Sequence, residues 1–161
     1  METSEDLVAL LCGKDNTAAY GALQELLQRS AQGSGVYAYM DRFIELMDSP
    51  NSLARTRGLL LIAANAPWDT EYKVDAVIGQ YLRHVMDPKP ITARQCIGAL
   101  PGLAAAKPDL REEILRALHG ADPGRYAPSM GPLVYRDIRA ALDAIERLPI
   151  PDHGPAKEEL Q

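Results

Sequence analysis

The side chains best suited to chemistry in this sequence are arginines that lie in apolar surroundings. The stretches 51–68 and 90–107 carry arginine or lysine but no acid, whereas the stretches before them carry acids such as Asp41, Glu45 and Asp75. A guanidinium binds a carboxylate or a phosphate through paired hydrogen bonds. The charge pattern therefore predicts a basic surface for an acidic peptide or a phosphate. The candidate contact residues, with one tryptophan at the edge of the surface, are Arg57, Arg94, Gln95, Arg136, Arg139 and Trp68.

The aromatic residues allow either a binding role or a packing role. Trp68 lies in a turn and is either an exposed anchor, since tryptophan is common at binding hot spots, or a plug over the end of a helical hairpin. The tyrosines at helical spacing either stack against a partner or pack half-buried: Tyr37, Tyr39, Tyr72 and Tyr135. The sequence leaves both alternatives open.

No arrangement of nucleophile, base or metal ligands indicates an enzyme. The histidines lie on separate elements without the spacing of metal ligands: His84, His119 and His153. Cys12 and Cys96 are isolated and expected in or near the core, which gives no sign of an activated thiol. His84 and Asp87 are three residues apart, which predicts a surface pair. We therefore expect a non-catalytic protein with no metal and no cofactor.

Composition favours a helical protein of the cytoplasm. Of the 161 residues, 47% are hydrophobic and 24% are charged. The hydrophobic residues include only one Trp and one Phe, so small and aliphatic side chains must fill most of the core. The net charge of −5 argues against a general nucleic-acid binder, which needs a basic surface. No apolar run has the length of a membrane span, and the acidic start of the chain does not resemble a signal peptide. Two isolated cysteines fit a reducing compartment.

Apolar residues at helical spacing, together with capping residues, predict eight helices and no strand. The first helix is expected to begin at the cap Ser4, and Asp69 or Thr70 is expected to cap the fifth. Pro101 and Gly102 should kink or end the sixth, because proline lacks the amide donor and clashes with the preceding turn.

The helices are expected to pair as four antiparallel hairpins. These hairpins form a single all-α domain over 1–148, and 149–161 lose the apolar periodicity and are expected to be a disordered tail. Leu60 and Ile62, in the most apolar helix, are expected to be buried.

A segment of the sequence recurs after 39 residues. The first copy is MDSPNSLAR (47–55), followed by an apolar helix, and the second is MDPKPITAR (86–94), followed by the apolar run that starts at Ile97. Each copy contains the end of a helix, an Asp, a turn with proline, and a helix with Arg in its first turns. A helical unit that recurs at such a period is typical of a solenoid, in which neighbouring units bury one another's apolar faces.

This unit resembles the HEAT and armadillo-like helical repeat family, and the chain is similar to small bacterial HEAT-like proteins of unknown role. The resemblance implies an α-solenoid superhelix of about four hairpins. It also implies an internal ladder in which the turn Asp and the helix Arg bond with neighbouring units. The residues that match this ladder are Asp48 with Arg55 and Asp87 with Arg94. The outer units depart from it: Cys12 and Ala19 replace both residues in the first, and Ser129 replaces the Asp in the last, where Arg136 fits.

The resemblance implies a protein–protein interaction or scaffold module that binds a protein or peptide, an acidic one included, on its concave face. Such a module is expected to be a monomer or a weak homodimer. The alternative is a nucleic-acid or phosphate-binding protein with a groove like that of HEAT-like DNA-repair glycosylases, whose binding would depend strongly on salt. A third interpretation, a lyase or chaperone for a chromophore, requires an apolar pocket and a coloured protein.

Overall fold

The computed structural model describes residues 2–150 of the chain. Within this range the secondary structure is helical, with eight α-helices and no strand, as the sequence predicts. The α-helices are α1 Ser4–Leu11, α2 Asn16–Gln32, α3 Met40–Met47, α4 Ser52–Asn65, α5 Lys73–Leu82, α6 Pro90–Ala106, α7 Arg111–His119 and α8 Gly131–Glu146. Short 3-10 turns lie at Gly35–Tyr39, Ala66–Trp68, Arg83–Met86, Pro108–Leu110 and Pro123–Arg125. Most of the predicted tail lies outside the described residues.

Side-chain caps begin several of these helices. Asp15 caps α2 by accepting the amides of Thr17 and Ala18 at 3.1 Å, and the side-chain oxygen of Asn51 accepts the amide of Ala54 in the first turn of α4 at 3.1 Å. The predicted cap of α1 is wrong by one residue. The cap is Thr3 rather than Ser4: the Thr3 hydroxyl oxygen accepts the Asp6 amide. The Asp6 carboxylate in turn accepts the Thr3 amide, which completes a capping box.

The expectation that Pro101 ends or kinks the sixth helix at that point is also wrong as to the end, because α6 continues to Ala106. A proline inside a helix removes one hydrogen bond and costs about 3 kcal/mol. The flanking residues Leu100, Leu103 and Ala104 are buried in the core, and their packing offsets that cost.

The even-numbered helices pack side by side in chain order, with α2 against α4, α4 against α6 and α6 against α8. Three odd-numbered helices lie against them: α1 contacts α2, α3 contacts α4, and α7 contacts both α6 and α8. The fourth, α5, packs against α3 and the turn Arg83–Met86, which in turn contacts α6. The core runs between these elements, and Ile62 and Leu100 are fully buried in it. Leu60 is partly buried against the same core. The central helix α4 is therefore enclosed on several sides, as its apolar sequence predicts.

Gly58 allows α3 and α4 to approach closely. A Cβ at this position would lie 2.6 Å from the carbonyl oxygen of Phe43 and 2.8 Å from the amide nitrogen of Met47. Both atoms belong to the backbone of α3 and cannot move aside as a side chain could. Only glycine fits here, so this residue sets the distance between the two helices.

Side-chain hydrogen bonds recur at a fixed separation in the sequence. Five residue pairs that are 32 positions apart are joined in this way. The pairs are Tyr37–Asp69, Asp41–Lys73, Asp48–Gln80, Arg55–Asp87 and Asp75–Lys107. Four of the pairs join residues 37–55 to residues 69–87, and Asp75–Lys107 joins that second stretch to the next. The constant separation shows that the segments 37–55 and 69–87 lie side by side in register.

The helices of the described part of the chain are too short or too polar to cross a bilayer.

Candidate binding groove

A groove of about 700 Å³ opens where the N-terminal parts of α2, α4 and α6 lie next to one another. Asn51 caps α4 beside it, and Pro90 begins α6 at a position where proline's missing amide is not needed. Apolar atoms form most of the groove's surface, and within residues 2–150 no Asp or Glu lines it. Its lining residues are Asn16, Tyr20, Leu23, Gln24, Ser52, Leu53, Thr56, Arg57, Leu60, Lys89, Pro90, Ile91, Thr92, Gln95 and Met130.

Three large apolar side chains of the groove remain in contact with water. Tyr20 is 64% exposed, Leu53 50% and Ile91 65%, and they come from the three different helices. Most other leucines and isoleucines of the described part of the chain are buried or partly buried. A cluster of exposed apolar side chains around a groove is typical of a binding site.

Arg57 lies at this groove but is only 6% exposed. Its Nη2 donates to the Asn16 Oδ1 over a long 3.4 Å, and its Nη1 has no acceptor among the described residues. Burial lowers the pKa of this guanidinium, because a charged group is less stable away from water. The sequence predicted an exposed contact residue at this position. In the structure Arg57 is instead a buried cation with no carboxylate partner among the described residues.

Arg55, two residues earlier, is fully paired. Its Nε and Nη2 donate to the two carboxylate oxygens of Asp87 at 2.9 and 2.8 Å, and its Nη1 donates to the carbonyls of Ser49 and Pro50. Burial by itself raises the pKa of Asp87, but the hydrogen bonds from Arg55 and His84 outweigh it and hold the pKa below its usual range. Arg55 is thus used internally. Asp48 binds Gln80 rather than an arginine.

Arg94 is also neutralised within the chain. Its Nε donates to Asp137 of α8 at 2.6 Å, and this hydrogen bond raises the pKa of the arginine. The partner is therefore on the next even-numbered helix and is not the turn residue Asp87. Gln95 is exposed and borders both the groove and a small cavity beside Arg94.

Arg136 and Arg139 lie elsewhere, on the exposed side of α8. They line a separate cavity of about 710 Å³ together with Tyr126, Tyr135 and several prolines. The predicted set of arginines is therefore not one continuous surface. Only Arg57 and Gln95 of that set line the groove.

Trp68 is not at the edge of this groove. Its indole Nε1 donates to the Ser30 carbonyl oxygen at 2.8 Å, near the C-terminal end of α2. Asn16, which lines the groove, lies at the opposite end of that helix, roughly 20 Å away at the usual rise per residue. Trp68 is also partly buried. The hydrogen bond and the partial burial both favour the packing alternative, in which Trp68 covers the end of a helical hairpin, over an exposed anchor.

The sequence predicted a surface pair of His84 and Asp87, and this prediction is wrong because the pair is buried or nearly so. The His84 Nδ1 lies 2.7 Å from the Asp87 Oδ1, and the Asp87 side chain is completely buried. Cys96 is buried nearby, and burial raises the pKa of its thiol, which disfavours the reactive thiolate. Within residues 2–150 no group of three or more His, Cys, Asp or Glu side chains forms a potential metal site.

Sequence reasoning missed the importance of Asp69, which it treated only as a helix cap. Its carboxylate accepts the amides of Lys73 and Val74, the hydroxyl of Tyr37 at 2.5 Å, and an ion pair from Lys107 at 3.1 Å. Burial by itself raises the pKa of Asp69, but these hydrogen bonds have the larger combined effect, so the net pKa is below its usual value. An aspartate after a tryptophan in a proline-containing turn is a weak sequence signal for such a site.

Comparison with known proteins finds no family model that matches the chain, and no curated protein or solved structure that matches it. The groove must therefore be interpreted from its own residues.

Proposed function

We propose that this chain is a short α-solenoid of the HEAT and armadillo type that binds a segment of another protein in the groove across α2, α4 and α6. In this proposal it is a non-catalytic scaffold protein of the cytoplasm, a monomer or weak homodimer. The observation that carries the proposal is the groove itself, with the exposed Tyr20, Leu53 and Ile91 at its walls. Repeat proteins commonly bind partners on the surface formed by one row of helices.

The packing of the helices supports the solenoid part of this proposal. The even-numbered helices follow one another in a row, and α1, α3 and α7 each pack against a member of it. The hydrogen bonds at a separation of 32 residues, such as Arg55–Asp87, hold the stretch 37–55 in register beside the stretch 69–87, and Asp75–Lys107 joins that second stretch to the next. A stack in which each unit contacts its neighbours has this pattern.

A peptide is favoured over nucleic acid as the partner because the arginines predicted to contact it do not form one basic surface. Arg94 is paired with Asp137, and Arg136 and Arg139 line a separate cavity outside the groove. A nucleic-acid groove requires several free cations that can replace the counterions of the phosphates. The groove instead offers apolar walls and two cations, Arg57 and Lys89.

The experiment that tests this proposal is selection from a library of displayed peptides on the immobilised full-length protein, followed by measurement of affinity in solution. The double variant Leu53→Glu/Ile91→Glu should lose the selected peptides. Tyr135→Glu is the matched control, since Tyr135 is 58% exposed on α8 and does not line the groove. Thermal melts must show that all three proteins are folded.

Two results would contradict the proposal. If no peptide is enriched over an empty support, or if the double variant binds as well as the Tyr135→Glu control, the groove does not bind peptides. A random single-stranded oligonucleotide is the comparison ligand. Tight binding of this ligand, with affinity falling steeply between low and moderate salt, would instead favour the nucleic-acid alternative.

A further inference from the structure

We propose that Arg57 is the receptor for one side-chain carboxylate, from Asp or Glu, in an otherwise apolar segment that occupies the groove. This inference rests on the proposed function and specifies the chemistry of the partner. Apolar walls select apolar side chains, and one buried guanidinium selects one acid among them.

The strongest argument is that Arg57 has no counter-ion in the described part of the chain. Its single hydrogen bond, to Asn16, is 3.4 Å long, and its Nη1 has no acceptor. A buried donor without a partner destabilises a protein, and buried charges are nearly always paired. Arg55 and Lys107 follow that rule, since each contacts a buried aspartate. Arg57 is the exception and lies at the groove.

The surroundings of Arg57 favour a carboxylate over a phosphate. Among the described residues, the cationic side chains that line the groove are Arg57, which is only 6% exposed, and the exposed Lys89. A phosphate carries more charge and three oxygens, which require a cluster of donors. A planar carboxylate with a single charge needs only one arginine. Lys89, at the start of α6, attracts the acid without being buried with it.

The shape of the groove favours a side-chain carboxylate over the carboxyl terminus of a peptide. The groove crosses three helices, and adjacent packed helices are about 8–10 Å apart. Tyr20 is on α2 and Ile91 is on α6, and these two helices pack against α4, which carries Arg57. A segment that contacts both therefore crosses α4, and we place the acid within the segment, with apolar residues before and after it.

The test uses the peptides selected on the full-length protein, each made with an amidated C-terminus. The selected sequences should contain Asp or Glu flanked by apolar residues. Replacing that acid by Gln or Asn should weaken binding about 10- to 100-fold, the loss expected for a charged hydrogen bond. This arm leaves the protein unchanged, so it does not depend on whether a variant folds.

The second arm is a double-mutant cycle with Arg57→Gln. Once Arg57 is replaced, removal of the peptide acid should change the affinity by less than about twofold, because the two groups no longer interact. Lys89→Gln is the control, and it should retain most of the difference between acidic and neutral peptides. Affinity for the acidic peptide should also fall as the pH is lowered through the pKa of its carboxyl, near 4.

The outcomes separate this inference from the proposed function. Failure to select any peptide contradicts both. Peptides that bind without an acid, or an Arg57→Gln protein that still prefers the acidic peptide by tenfold, would overturn the role of Arg57 and leave peptide binding intact. Loss of binding on amidation of the C-terminus would overturn the side-chain assignment.

Discussion

Arg55 and Asp87 form a two-pronged ion pair, with distances of 2.9 and 2.8 Å, between the first turns of α4 and the turn that precedes α6. The Asp87 side chain is completely buried, and the Arg55 side chain is 12% exposed. His84 and the Lys89 amide occupy the remaining positions around the same carboxylate. The pair therefore joins two parts of the helical array at a place where water has little access to either charge.

Replacing Arg55 by Met should destabilise the protein strongly. Removal of one partner leaves the Asp87 carboxylate buried with less compensation, which costs about 3–5 kcal/mol. The free energy of unfolding in urea measures the effect. Arg125→Met is the matched control, because its ion pair with Asp122 is long and exposed and contributes little. Equal stability of the two variants would contradict an internal role for Arg55.

Asp87 should make stability depend on pH under acid conditions. Its folded-state pKa lies below its usual value, near 3.9 in unfolded chains. Its contribution is therefore present above about pH 4 and is lost as the pH falls through the lower, folded-state pKa. The free energy of unfolding of Asp87→Asn should fall less between pH 5 and pH 2 than that of the wild type. Asp109→Asn, which changes an exposed acid, should follow the wild-type curve.

Replacing Arg57 by Met should stabilise the free protein while weakening the binding of acidic peptides. A buried donor without an acceptor costs about 1–3 kcal/mol, and methionine fills a similar space without that cost. Thermal and urea unfolding measure the first effect, and peptide titration measures the second. A less stable Arg57→Met protein would indicate that the guanidinium is required for packing.

Two glycine substitutions should have opposite effects. Gly58→Ala places a Cβ within 3 Å of the α3 backbone and should destabilise by about 1–3 kcal/mol, the usual cost of overpacking. Gly98→Ala, in the middle of α6, meets nothing within 4 Å and should stabilise by about 0.5–1 kcal/mol through helix propensity. Urea unfolding of both proteins checks the pair, and a stable Gly58→Ala would contradict the close approach of α3 and α4.

The helices could be predicted from the sequence, since apolar periodicity and caps such as Asp15 and Asn51 act locally. Of the two outcomes predicted at Pro101, a kink or an end, the end is wrong, because the burial of Leu100 and Leu103 that keeps α6 helical is a tertiary effect. The site was harder to predict for the same reason. The sequence identified Arg57 as chemically important, but it could not show that Arg57 would be buried, because that depends on how α2 packs beside α4.

Sequence periodicity also could not identify the exposed apolar side chains of the groove. Leu53 and Ile91 occupy the first turns of their helices, where an apolar residue is equally compatible with a contact to the core. The partners of the arginines required three-dimensional information as well. Arg94 binds Asp137, 43 residues later, and no local spacing distinguishes that acid from Asp87.

Gly58 and Arg57 are consecutive residues, and this has a consequence for how the groove can change. Gly58 fixes the distance between α3 and α4, and Arg57 lines the groove, so α4 cannot shift to reshape the groove without also changing its packing against α3. The exposed side chains at the walls of the groove, Tyr20, Leu53 and Ile91, can change without affecting the packing of α3 against α4. Related chains that recognise different partners should therefore vary at these three exposed residues and keep the Arg57–Gly58 dipeptide.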